Sequence, residues 1–323
     1  MNNLAEATCD DLEMVGDVPL LMHVDATGQK VLDWAKQNQP DVERLVRENG
    51  ALLLRGLNIM SSRQFGQLLS SLFDSELIEY SYRSTPRTEL RGRVYTATEY
   101  HSDQVIPQHN ENAYSNRWPM RIGFLCTHPA ETGGATPISD SRVVRDRLPD
   151  KIRQKFEDKG VMYVRNYSDI DLPWTGGFQT EERSDVEAVC SANDITFERL
   201  DDNALRTTQV NPAVATHPDT NMPIWFNQAH LFHVTNLDPD TRASMLNIMS
   251  EDRLPKNTYY GDGSPIEPEH LDAIRALYQD TKIAFEWQRN DLMLLDNMMF
   301  THGREAYTGS RQVLVGMARP NGH

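Results

Sequence analysis

In the second half of the chain the apolar residues fall in runs of only a few positions, each bounded by turn residues. No other feature limits the fold as much. Residues 122–126, 136–139, 161–167, 224–226, 292–295 and 313–318 each read as a short strand. Gly133-Gly134 and Thr308-Gly309 mark turns among them. Helical spacing appears at 145–159, 184–192, 240–249 (stopped by Pro255) and 267–278. Many short strands with helices before and between them predict a mainly β core with flanking helices. The architecture that buries such strands is a double-stranded β-helix, the cupin-like jelly roll.

The first hundred residues have a different texture. Residues 28–48 carry apolar positions near helical spacing, with Pro40 expected to divide them. Gly50 ends that pattern, and 51–54 reads as a short buried strand. Ser61 offers a cap to a second helix. Residues 81–108 are polar, hold two prolines and show no sustained period, as expected of a lid or binding loop. With no repeat, low-complexity tract or linker, the reading is one domain over 1–323. It comprises an N-terminal helix and strand segment at 1–80, a lid at 81–108, and a jelly-roll core from 109 with a helical insertion at about 145–210.

Composition sets outer limits on function. Thirty-two Lys and Arg against 47 Asp and Glu give a net charge of -15. Nucleic acid and anionic membranes both select positive surface, so neither is an expected partner. No run approaches about 18 apolar residues, and the first twenty residues lack a basic segment followed by an apolar one. Cys9, Cys126 and Cys190 lie far apart without a CxxC pair. A cytoplasmic protein is expected.

Short strands also provide a way to build a metal site. Two histidines and one carboxylate can hold iron(II) on one face, leaving three coordination positions open. On a strand, residues i and i+2 face the same way, so His-x-Asp or His-x-Glu supplies two of these ligands. Ten histidines among so many acids make about one or two chance matches expected, and the chain holds five. His270/Asp272 falls in a helical stretch, where the two side chains point about 200° apart. His217/Asp219 encloses Pro218 in a turn-rich stretch, and His23/Asp25 precedes the strand region. His101/Asp103 competes on spacing but sits in the polar connection. His109/Glu111 stands where the strand texture begins and is preferred. The bland alternative, a hydrogen-bonded polar pair beside a loop, stays open on this evidence.

The run HNENAYSNRWPMRIGFLCTHPAETGGATPISDSR from His109 resembles the TauD/TfdA-like superfamily of iron(II)/2-oxoglutarate dioxygenases, and within it the SyrP-like branch. VYTATEYHSDQVIPQHNE, YVRNY, GFQTEERSDVEAVC, IWFNQAHLFH, YYGDGSPIE and LLDNMMFTHGREAYTGSRQVLVGMA continue that likeness in order. The resemblance implies His109, Glu111 and His302 as the catalytic iron ligands, His302 lying 193 residues beyond His109. It implies Arg311 and the Thr136 hydroxyl as the anchors of 2-oxoglutarate; arginine suits a carboxylate because its planar guanidinium donates two parallel hydrogen bonds. Related halogenases carry a small residue where Glu111 stands, so halogenation is not expected. Sulfonate-oxidising members carry a further arginine where this chain has Val315, so taurine is not the expected substrate.

The expected reaction uses iron(II), 2-oxoglutarate and O2 to hydroxylate an unactivated C–H bond of an amino acid or amino-acid-derived molecule in natural-product biosynthesis. Desaturation, epoxidation or a carrier-tethered aminoacyl substrate would need the same centre. Asn227, Arg304, Arg165 and Arg83 are candidates for substrate contacts, each with a structural role as the alternative. His230 and His233 read as satisfied histidines, because no acidic or cysteine partner accompanies them. The reading from another class is a non-enzymatic cupin-like metal or ligand sensor, and a zinc hydrolase on the same ligands is a further rival.

Overall fold

The computed structural model describes residue 4 and residues 7–79, 88–97, 100–168, 173–200 and 204–322. Its largest element is an eight-stranded sheet. In spatial order it runs Glu13–Val15, Val18–His23, Ala51–Arg55, Leu292–Asp296, Arg117–His128, Gln312–Gly322, Val94–Thr96 and Glu89–Leu90. Pairing is antiparallel except between Val18–His23 and Ala51–Arg55. A parallel pair needs a crossover, and the helix Val31–Asn49 supplies it.

The central strands are buried on both faces, which is why 51–54 and 292–295 are unbroken apolar runs in the sequence. Leu52, Leu54, Leu125, Leu292, Leu294 and Leu314 pack against Trp34, Leu45 and Val46 of one helix and Phe65, Leu68 and Leu69 of the helix Ser62–Leu72. The alternate residues Leu53, Phe124, Met293, Leu295, Val313 and Val315 face the other way, toward Ile138, Met299 and Phe300. Those belong to, or adjoin, a three-stranded sheet ordered Ile106–His109, Phe300–Arg304, Ile138–Asp140. The two sheets sandwich the second core, and the fold is a jelly roll with helices outside, as expected from the sequence.

Three local expectations differ from the structure. Pro40 does not divide its helix, which runs unbroken from Val31 to Asn49. Pro40 and Lys36, whose carbonyl loses its donor, both lie on the exposed face, where water takes the missing place. The stretch 145–159 forms two helices, Ser141–Arg147 and Asp150–Lys159, because Leu148 precedes a proline and takes extended backbone. The segment 145–210, read as a helical insertion, also holds the strands Val161–Tyr167, Thr196–Arg199 and Leu205–Asn211. With Lys256–Tyr260 they make a separate four-stranded sheet. Within 81–108, Glu89–Leu90 and Val94–Thr96 join the large sheet, and Ile106–His109 joins the small one.

Candidate metal centre and its two cavities

The small sheet brings together residues that the chain keeps far apart. In its register His302 stands directly opposite His109, so a single strand pairing spans 193 residues of sequence. The two imidazoles lie 4.6 Å apart, centroid to centroid, tilted by 50°. Glu111 follows just beyond the end of Ile106–His109, and its Oε2 lies 3.6 Å from His302 Nε2. That is too long for a hydrogen bond. It is near the separation of about 3 Å expected for neighbouring donors around one octahedral ion. All three offer donor atoms within 4.8 Å of one another, and no other group of three His, Cys, Asp or Glu residues does so among the described residues.

Two nitrogens and a hard carboxylate oxygen suit iron(II). His109 Nδ1 donates to the Pro107 carbonyl at 2.8 Å, which fixes the tautomer and leaves Nε2 with its lone pair for a metal. His302 is 5% and Glu111 3% exposed, so water competes poorly for these donors. The Phe124 ring packs against His302 at 5.0 Å, tilted by 54°.

A cavity of about 410 Å³ is lined by both histidines and Arg311, with Thr136, Phe124, Val313 and Val315 also in its walls. Arg311 Nε donates to the Gly134 carbonyl at 2.8 Å, and one terminal nitrogen donates to Thr136 Oγ1 at 3.1 Å. Burial, with Arg304 close by, pulls the Arg311 guanidinium down to about 10. It is still a cation near neutrality, and no carboxylate is among the groups that shift it. A buried cation in that state favours an anion. Thr136 Oγ1 also accepts from Trp287 Nε1 at 3.0 Å. With both lone pairs taken, its own O–H is left to donate. A buried cation beside a hydroxyl donor can bind a carboxylate, and both share this cavity with His109 and His302. Val315, where sulfonate-oxidising relatives of the family pattern have arginine, is an apolar wall of this cavity.

A second, larger cleft of about 1620 Å³ is lined by His109 and Glu111. Tyr100, Tyr114, Gln228, Phe232, His233 and Lys256 are among its lining residues. His109 and Ile106 border both cavities, so the candidate metal position lies where the two meet.

The expected substrate contacts fare less well. Arg304 lines the smaller cavity with the two histidines, and its terminal nitrogens donate to the carbonyls of Tyr100, His101 and Gln104, which ties it to the segment bordering the larger cleft. Asn227 is fully buried, with Nδ2 on the Ala213 carbonyl and Oδ1 on the Ala229 N–H. It caps a turn and lines neither cavity. Arg165 is buried on Val161–Tyr167 over the Tyr167 ring and lines neither cavity. Arg83 lies outside the described residues. The groups that do line the cleft, Tyr114, Gln228 and Lys256, carried no signal in the sequence beyond their polarity. His230 and His233 form no metal site. His230 Nε2 bonds to the Gln108 carbonyl, and burial takes both rings down to about 4.

A jelly roll holding two imidazoles and a carboxylate beside a cationic pocket is the architecture of non-haem iron oxygenases. The family described as "Taurine catabolism dioxygenase TauD, TfdA family" matches residues 17–318, and the chain belongs to it. As a dioxygenase of this family it works with iron(II), 2-oxoglutarate and O2. Dapdiamide synthesis protein DdaC of Enterobacter agglomerans is 40% identical over 280 residues, covering 86% of this chain and 85% of that protein. A clavaminate synthase-like protein of Arabidopsis thaliana is 28% identical over 291 residues, covering 86% and 84%. Among solved structures, an asparagine oxygenase in complex with Fe(II), 2S,3S-3-hydroxyasparagine and succinate matches in fold, with TM-score 0.54 and 12% identity over 89% of this chain and 83% of that one.

Proposed function

We propose that this enzyme hydroxylates a C–H bond, at the β-carbon, of an amino acid or amino-acid-derived small molecule in natural-product biosynthesis. The convergence of His109, Glu111 and His302 within 4.8 Å carries this reading. They are its metal ligands, and Arg311 and Thr136 its 2-oxoglutarate anchors. The relative named for dapdiamide synthesis supports the biosynthetic setting. When bound, iron(II) and 2-oxoglutarate would activate O2, the oxidant, with one oxygen atom going to the succinate formed as 2-oxoglutarate loses carbon dioxide and the other to the substrate. The chain's part is to hold and to exclude. His109 keeps its tautomer through Pro107, and Arg311 and Thr136 fix one end of the cosubstrate. Phe124, Val313 and Val315 keep the smaller cavity apolar between them. The larger cleft, with Glu111 in its lining, would receive the substrate.

A free small molecule or peptide fits the net charge of -15 better than an acidic carrier domain does. A cytoplasmic setting suits the free thiols of Cys9, Cys126 and Cys190. No helix among the described residues is long and apolar enough to cross a membrane. One domain over 1–323 completes the reading, with Tyr100, Gln104 and Val105 of the expected lid bordering the larger cleft.

Anaerobic addition of iron(II) and then 2-oxoglutarate should develop the weak visible charge-transfer band of the chelate. A screen of amino acids and peptides should then show succinate release coupled to gain of one oxygen atom. Loss of two hydrogens instead would mark desaturation. His302→Ala should abolish turnover, and unchanged activity in that variant would refute the ligand assignment. Turnover without O2 and without 2-oxoglutarate would point to hydrolysis.

A further inference from the structure

Strand geometry does not aim Glu111. The pleated strand ends at His109, and Glu111 lies two residues further on, in a turn where Asn112 takes φ of 57°. A carboxylate on a free turn would scatter over several positions, so something else must hold its backbone.

That holder is Asn297. It is fully buried, and its side-chain amide lies against the peptide groups of Glu111. Oδ1 accepts the Glu111 N–H at 2.7 Å, and Nδ2 donates to the Glu111 carbonyl at 2.9 Å. The second N–H goes to the Pro119 carbonyl at 2.8 Å. An asparagine amide thus plays the neighbouring-strand role for a residue that has left its strand. The favour is returned one residue earlier. Asn110 Nδ2 donates to the Asn297 carbonyl at 2.7 Å, while Gln228 Nε2 donates to the Asn110 carbonyl at 2.7 Å.

Asn297 sits in the turn between Leu292–Asp296 and Phe300–Arg304, five residues before His302. The preceding Asp296 stiffens that turn by accepting from the Met298 and Met299 N–H groups. One rigid turn therefore both launches the strand carrying His302 and clamps the residue carrying the carboxylate. We infer that Asn297 is a positioning residue that sets the Glu111 carboxylate for metal binding by gripping its main chain. The inference rests on the proposed metal centre and adds a residue to it.

Metal affinity of the apoprotein is the test, read anaerobically from the ligand-field bands of Co(II) and by titration with iron(II), below the melting temperature of every variant. Groups of this kind cost about tenfold to a hundredfold in metal affinity when removed. That loss, with altered Co(II) bands, is expected for Asn297→Ala. Asn297→Asp has the same shape and keeps the acceptor but loses both donors, and it should lose affinity too. Asn166 serves as the matched control, since its amide also makes three hydrogen bonds, to Asp252, Leu254 and Arg206, away from the centre. Asn166→Ala should lower stability and leave metal affinity unchanged.

A folded Asn297→Ala with wild-type affinity overturns the inference, as does an equal loss in Asn166→Ala. Should Asn297→Ala not fold, Asn297→Asp decides by the same criterion. Glu111→Ala separates the two claims. If it binds metal like the wild type, the centre itself is wrong. If it loses metal while the Asn297 variants keep it, the centre stands and the positioning role falls.

Discussion

At the scale of single residues, the proposed cosubstrate pocket turns on very few atoms. Thr136 has one hydroxyl proton to give because Trp287 and Arg311 fill its lone pairs. Arg311 spends two of its five N–H donors on Gly134 and Thr136, which orients the guanidinium and leaves three for a carboxylate. Arg311→Ala should raise the 2-oxoglutarate requirement by roughly a hundredfold or more, the scale for removing one partner of a buried charge pair. Turnover at saturating cosubstrate should suffer far less. Arg311→Lys keeps the charge without the fork and should recover only part of the loss. Trp287→Phe is a milder probe. It frees one lone pair of Thr136 and lets the hydroxyl turn, at a cost of about 1 kcal/mol, or roughly fivefold in 2-oxoglutarate affinity. Direct binding measured with the oxygen-free enzyme checks all three, and an unaltered affinity in Arg311→Ala would remove that residue from the pocket.

At the scale of elements, what could be read beforehand followed burial. The runs 51–54 and 292–295 were legible as strands because both faces are covered, and Ser61 announced its helix by capping it, its hydroxyl accepting from the Gln64 N–H. The strand Leu205–Asn211 was not, since its inward positions include Thr207 and Gln209, whose polarity hides the alternation. Spacing marked the His109/Glu111 pair, but Glu111 itself lies in a turn held by Asn297, and no local pattern encodes a contact made 186 residues away. The larger cleft was illegible for the same cause, being assembled from single side chains of distant segments. Gly303, by contrast, has a role only the sheet explains. A Cβ there would come within 2.7 Å of the Ile106 carbonyl oxygen on the adjoining strand. Gly303→Ala should push apart the strands that carry His109 and His302, lowering stability by about 1–3 kcal/mol and weakening metal binding as well. Gly66→Ala meets the Gly92 carbonyl oxygen at 2.8 Å, well away from the centre, and should cost stability alone. Thermal melts beside Co(II) titrations separate the two outcomes, and equal metal affinity in both variants would count against the strand-spacing argument.

At the scale of the whole molecule, two electrostatic effects oppose each other as the solution is acidified. A chain with net charge -15 repels itself at neutrality, and this eases as the pH falls toward its isoelectric point near 5.1. The buried histidines act in the opposite sense. His230 Nε2 donates to the Gln108 carbonyl, and its Nδ1 has no hydrogen-bond partner, so a second proton would sit in an apolar site with nothing to accept it. Burial accordingly takes this ring from 6.5 to about 4. Between those values the unfolded chain binds a proton that the folded one refuses, so stability rises with pH there and is lost on acidification. The shift corresponds to roughly 3 kcal/mol for a ring only 1% exposed. His233, also taken down to about 4, adds in the same direction. Asp296 works in a lower window. Burial alone would raise it, yet the His217 hydrogen bond and the Arg121 charge outweigh burial and hold it below its ordinary value. Its contribution is therefore lost only below about pH 4. Surface repulsion is screened within about 8 Å at physiological salt, whereas the histidine penalty is internal and escapes screening. The histidines should win. Urea denaturation at constant ionic strength should show stability falling steadily from pH 6.5 to 4 even as net charge vanishes, and His230→Phe should flatten that slope by about one proton's worth. A stability maximum near pH 5 in the wild-type enzyme would mean that charge repulsion dominates instead.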